Sequence, residues 1–97
     1  MASPERLYFI TRSDLSEGRR CAMVAHAMDL WCEAHGPQRG TVIVYAVKDE
    51  NALLTVKDKL PTGSRHVLFR EPDLAFEATA FATDAGPFRL SLLGNTR

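Results

Sequence analysis

Two strand-forming runs, Leu7-Tyr8-Phe9-Ile10-Thr11-Arg12 and Thr41-Val42-Ile43-Val44-Tyr45-Ala46-Val47, flank one helix-length stretch, and this spacing constrains the fold more than any other feature. A strand, a helix and a second strand in that order form a crossover unit, which makes the two strands parallel neighbours in a sheet. The first run is almost continuously apolar and suits a strand buried on both faces. The second is β-branched and reads as a central strand. Between them, Ser13 to Ser16 supplies a turn, Ser16 is placed to cap the helix, and Glu17 meets the positive end of the helix dipole. The helix is expected to run to about His35, where Gly36 and Pro37 stop it. Its buried stripe is expected at Cys21, Val24, Met28, Trp31 and Cys32.

Asp49 should cap a second helix that runs to about Leu60, with Leu53, Leu54, Val56 and Leu60 on its apolar side and Pro61 and Gly63 after its end. This helix is expected to cover one face of the sheet. His66 to Arg70 reads as a third strand, Glu71-Pro72-Asp73-Leu74 as an interruption, and Glu77 to Thr83 as a fourth strand that pairs with the third as a hairpin. Beyond Asp84, Gly86 and Pro87 precede a short apolar group, Phe88, Leu90, Leu92 and Leu93, expected to dock as a stub of helix or strand. Gly94 to Arg97 is expected to fray. The order β-α-β-α-β-β indicates an α/β fold with a mixed sheet, in a single domain over residues 1–97 whose core is thin.

Composition excludes several classes of function. Twelve Lys and Arg balance twelve Asp and Glu, so the chain has no general attraction for nucleic acid or an anionic membrane, and any RNA contact needs a local patch. No run approaches the roughly 18 apolar residues of a membrane span. The first residues lack the pattern of a signal peptide, and a cytoplasmic setting is expected. Cys21 and Cys32 fall on one helix, about 16 Å apart along its axis, too far for a disulfide. His26, His35 and His66 are scattered through different elements, so no structural metal is expected and no cofactor is implied.

Chemistry concentrates where the first helix begins, in Gly18-Arg19-Arg20-Cys21-Ala22-Met23-Val24-Ala25-His26-Ala27. Arg19 and Arg20 stand beside the unpaired N–H groups of the helix start, an arrangement that attracts anions. Arg19, Met23 and His26 fall along one stripe of the helix.

These residues carry a resemblance. Arg12-Ser13-Asp14-Leu15, followed by Gly18-Arg19-x-x-x-Met23-x-x-His26-Ala27, resembles the Arg-Thr/Ser-Asp-Leu turn and Gly-Lys-x-x-x-Gln-x-x-His-Ala helix start of the type II peptidyl-tRNA hydrolases. Phe69 to Leu74 and Thr79 to Ala82 resemble that family's later strand, acidic turn and Thr-Val-Leu-Ala strand. The resemblance implies a three-layer α/β fold with a four-stranded mixed sheet and flanking helices. It also implies a homodimer that hydrolyses the ester of peptidyl-tRNA, or of a related acylated RNA, without a metal. The family's lysine, aspartate and threonine would correspond to Arg19, Glu71 and Thr79, and its glutamine to Met23. Arginine keeps the charge of lysine but cannot accept a proton, so the base would have to be a carboxylate.

The catalytic candidates are therefore Arg19, Glu71, Asp73 and Thr79, and the substrate-binding candidates Arg12, Arg20 and His26. Glu71 or Asp73 would activate water, Arg19 would steady the charge developing on the carbonyl oxygen, and Thr79 would hydrogen-bond the carboxylate or substrate. Plainer roles stand beside these. Arg19 and Arg20 could pair with Glu17 or Asp14 on a solvated turn, Glu71 to Asp73 could be only a turn, and His26 could be a packed core residue. Met23 and Met28 suit core packing, and Cys21 reads as structural. The alternative function is a non-catalytic module on the same fold that binds RNA, a nucleotide or a protein partner.

Overall fold

The computed structural model describes residues 6–85. In chain order these form β1 (Arg6–Arg12), α1 (Glu17–His35), β2 (Thr41–Val47), α2 (Glu50–Asp58), β3 (His66–Glu71), a 3-10 turn at Pro72–Leu74 and β4 (Glu77–Thr83). The four strands make one mixed sheet in the order β2-β1-β4-β3. β1 and β2 are parallel, with Leu7 opposite Val42 and Phe9 opposite Val44. β4 runs antiparallel to both of its neighbours, with Ile10 and Leu68 on either side of Phe81. β1 is buried from Leu7 onward because it has a strand on each side and a helix on each face, in keeping with its nearly continuous apolar run.

Successive strand residues face opposite sides of a sheet, so β1 feeds two separate cores. Leu7 and Phe9 join Ala80 and Ala82 beneath Met23, Ala27 and Trp31 of α1. Ile10, Val47, Ala78 and Phe81 pack against Leu53 and Val56 of α2. The molecule is thus an α/β sandwich of three layers with one helix on each face. The Ser16 hydroxyl accepts the Arg19 N–H at 3.3 Å and Asp49 accepts the Ala52 N–H at 2.9 Å, so both expected caps form. Gly36 ends α1 at φ 90°, a left-handed conformation that favours glycine.

Three expectations change. The buried stripe of α1 is Met23-Ala27-Trp31; Cys21 is exposed, while Val24, Met28 and Cys32 are half-buried. Spacing of four residues selects that row, and the small Ala27 lets the helix lie close to the sheet. β2 is an edge strand, because β4 returns to occupy the other side of β1. α1 packs on β1, β4 and β3 and leaves Val42 and Val44 of β2 43% and 51% exposed. A β-branched composition fits either strand position and could not discriminate between them. α2 ends at Asp58 instead of near Leu60. The β3–β4 hairpin forms as read, and the expectations for Gly86 to Arg97 lie outside the described residues. No helix among the described residues is long and apolar enough to cross a membrane.

A bulge interrupts β4. Phe69 pairs with Ala80 but Arg70 pairs with Ala78, which leaves Thr79 as the extra residue.

Candidate site at the carboxyl ends of the strands

Because β4 opposes both β1 and β3, the strands β1, β2 and β3 all run in one direction. Their carboxyl ends gather at one edge of the sheet together with the starts of α1 and α2, the position at which open α/β sheets hold ligands.

On the α2 side this edge is closed by a network of charges. Arg12 is 7% exposed and makes a two-pronged contact with Asp14, Nε to Oδ1 at 3.0 Å and Nη2 to Oδ2 at 2.8 Å. Its Nη1 donates to Glu77 Oε1 at 2.7 Å and to the Ala78 carbonyl at 3.1 Å. Glu50, in the first turn of α2, accepts the Ala78 N–H at 2.7 Å. The β1–β4 ladder ends at the pair of Thr11 and Ala80, and beyond it the Ala78 backbone is satisfied by side chains from β1 and α2. The hydrogen bond to Asp14, aided by Glu77 and opposed by burial, holds the Arg12 guanidinium above its ordinary pKa. The same bond holds the Asp14 carboxyl below the usual aspartate value. Arg12, expected to bind substrate, is thus occupied in joining β1 to β4.

On the α1 side two aromatic contacts fix the helix against β3. His26 stacks on Phe69 with ring centroids 4.6 Å apart, and the Arg65 guanidinium lies 5.2 Å from the centre of the Trp31 ring. Rising residue numbers on α1 thus meet falling numbers toward β3. Arg19 precedes His26 by seven residues, which is two turns, nearly the same bearing and about 10.5 Å along the helix. Glu71 follows Phe69 by two residues, on the same face and about 6.6 Å further along the strand. Arg19 and Glu71 therefore come within about 4 Å of the same level at one end and on one face of the molecule. Arg19 is exposed and Glu71 half-buried, and neither side chain is hydrogen-bonded or ion-paired with a described residue. Asp73 is exposed in the 3-10 turn that follows.

The remaining candidates take other places. Thr79 is fully buried; its hydroxyl lies 3.5 Å from the Phe69 carbonyl, and its own carbonyl accepts from the Thr11 hydroxyl at 2.9 Å. Its contribution is to hold the bulge from inside. Arg20 donates to the Leu15 carbonyl at 2.9 Å and to that of Ser13 at 3.3 Å, and so ties down the β1–α1 loop. His26 is exposed and held by its ring stack, not enclosed in the core. Met23 is buried beneath α1. A groove of about 490 Å³ between the start of α1 and β2, lined by Thr11, Glu17, Arg20, Cys21, Val24, Val44, Tyr45 and Ala46, includes Arg20 but none of Arg19, Glu71, Asp73 and Thr79.

Sequence reading missed Glu50, Glu77 and Thr11. Glu50 carried a signal, since a carboxylate just after a helix cap at a strand–helix junction is well placed to receive a backbone N–H. The pairing of Glu77 with Arg12 spans 65 residues and had none. Among the described residues no three of His, Cys, Asp or Glu are grouped as a metal ion would need. No known family model matches the chain, and no curated protein matches it closely enough to count as a relative.

Proposed function

We propose that the chain is a peptidyl-tRNA hydrolase-like protein that cleaves the ester of an acylated RNA at the carboxyl ends of its strands. The observation that carries this reading is the convergence of Arg19 and Glu71 on one face, without partners among the described residues, at the edge where α/β sheets hold ligands. Arg19 and the start of α1 supply positive charge for a terminal phosphate or a developing oxyanion. Glu71, or Asp73 beside it, is the base. In this scheme the carboxylate takes a proton from water as the water oxygen bonds to the ester carbonyl carbon, and Arg19 holds the resulting oxyanion. Collapse of the tetrahedral intermediate breaks the bond to the ribose oxygen, which receives the proton back from the carboxylic acid. Thr79, being buried, acts through the bulge and does not touch substrate. The reading includes a homodimer, drawn from the sequence resemblance, and keeps the cytoplasmic setting expected above.

The test is turnover of an N-blocked aminoacyl-tRNA by the purified protein. Glu71→Ala is expected to lower kcat by about 100- to 10,000-fold, and Arg19→Ala by about 100- to 1,000-fold. Folded protein that gives no turnover, or turnover indifferent to both substitutions, overturns the hydrolase reading. A second reading, a binding module without catalysis, is favoured by the burial of Met23 and Thr79 at two positions where the resembling family places site residues. It predicts salt-sensitive RNA binding and no hydrolysis.

A further inference from the structure

The tight connection between β3 and β4 contains two consecutive non-glycine residues in the left-handed region, Ala75 at φ 53° and Phe76 at φ 61°. Each such residue is disfavoured, and a pair persists only where surrounding contacts hold it. The contacts here are specific. The Phe76 N–H bonds the Glu71 carbonyl at 2.9 Å, and Arg70 Nη1 donates to the Phe76 carbonyl at 3.2 Å. The turn is fixed through the backbone of Phe76, while its side chain is left in solvent: Phe76 is 62% exposed, the most exposed large hydrophobic residue among the described residues. Burial of the ring therefore does not explain the strained backbone.

The position of the ring is informative. Phe76 lies between Glu71 and Glu77, which pair across the last rung of the hairpin, and so stands at the same edge of the sheet as Arg19, Glu71 and Asp73. We infer that Phe76 is a stacking platform for a nucleobase of the RNA bound at that edge, with whichever of the Glu71 and Asp73 carboxylates does not activate water accepting hydrogen bonds from the base edge; this rests on the RNA-directed reading above. The chemistry favours a base over an apolar protein surface. A protein partner would need a large contiguous apolar patch, whereas only the small Pro72 and Ala75 and the half-buried Leu74 extend the apolar surface of this turn, among Arg70, Glu71, Asp73 and Glu77. One exposed aromatic face beside carboxylates matches a flat ligand that carries N–H donors on its rim. Arg19, at the same edge of the sheet, supplies the cation for an adjoining phosphate.

The experiment measures, for the full chain, the affinity of a short single-stranded oligoribonucleotide by fluorescence anisotropy. It compares that oligonucleotide with one abasic at its 3′-terminal residue, and wild type with Phe76→Ala, Phe76→Tyr and Phe76→Gly. Phe76→Gly removes the ring while suiting the left-handed backbone, so loss of binding by that variant cannot be attributed to a collapsed turn. Phe76→Ala and Phe76→Gly are expected to weaken binding by about 5- to 100-fold, with Phe76→Tyr close to wild type. The abasic oligonucleotide should bind wild type as weakly as the intact one binds Phe76→Gly. Salt-sensitive binding that Arg19→Ala weakens but Phe76→Gly leaves unchanged would overturn the stacking role and leave the RNA-directed reading in place. Absence of binding by the wild-type chain would overturn both.

Discussion

At the residue scale, Arg12 has the clearest predicted consequence. Its guanidinium is buried and serves two carboxylates and the Ala78 carbonyl, so truncation removes a donor from each of the three. Arg12→Ala is expected to lower stability by about 2 kcal/mol in urea titration, the cost of losing the hydrogen bonds of a buried charged donor. Asp14 is more exposed and water screens its part of the pair, so Asp14→Asn should cost less, about 1 kcal/mol. The pH dependence has a definite sign. Asp14 is held below its unfolded pKa, so its stabilisation is complete above the ordinary aspartate range and disappears as pH falls through the lowered value. Stability curves of wild type and Asp14→Asn should therefore converge on acidification below about pH 4; curves that stay parallel down to pH 2 would show that the pair does not contribute. Met23 carries a different lesson. Its position on the helix stripe resembles one where a related pattern places glutamine, yet the side chain is 2% exposed beneath α1. Met23→Gln should cost about 2 kcal/mol for a buried amide without partners, read from the denaturation midpoint.

At the element scale, the hairpin between β3 and β4 connects structure to the proposed chemistry. Its turn carries Glu71 and Asp73, its left-handed pair exposes Phe76, and the bulge that follows puts Thr79 inside the fold. The left-handed backbone at Ala75 is strained, so Ala75→Gly should relieve it and raise stability by about 0.5–1 kcal/mol. For a domain of this size that corresponds to a rise in Tm of several degrees, measurable by calorimetry. A fall in Tm would mean that the added freedom of the unfolded chain outweighs any strain relieved. α1 shows how an element can be legible in extent and misjudged in orientation. Ser16 and Gly36 mark its ends in the sequence and Trp31 is buried as expected, but Cys21, Val24, Met28 and Cys32 drew the rest of the expected stripe away from Met23 and Ala27. An alanine at the point of closest approach has little weight in a hydrophobic pattern, although it decides which face can touch the sheet.

At the scale of the whole molecule, a four-stranded sheet separates two small cores, one under each helix, and the buried residues of β1 and β4 belong to both. Neither core has other strands to rest on, so loss of packing on one face should unfold both. Trp31→Ala, which empties the centre of the α1 core, is expected to cost about 3–5 kcal/mol and to lower the single unfolding transition without splitting it. A separate low-temperature transition would show that the α2 face folds independently. The elements themselves were determined by the sequence: apolar runs, caps and glycine or proline stops act over a few residues, so the strands, both helices and the hairpin could be read locally. Arg19, Glu71 and Asp73 could also be singled out, because each lies beside a strand end or helix start that the local pattern defines. Tertiary structure alone decided which strand is the edge, that Arg12 is consumed by Glu77 and Ala78, that Thr79 points inward, and that Arg19 and Glu71 share a level and a face. Those outcomes depend on pairings between residues far apart in the chain and on one extra residue in β4, and no local pattern of residue types encodes a register or a bulge that only the assembled sheet creates.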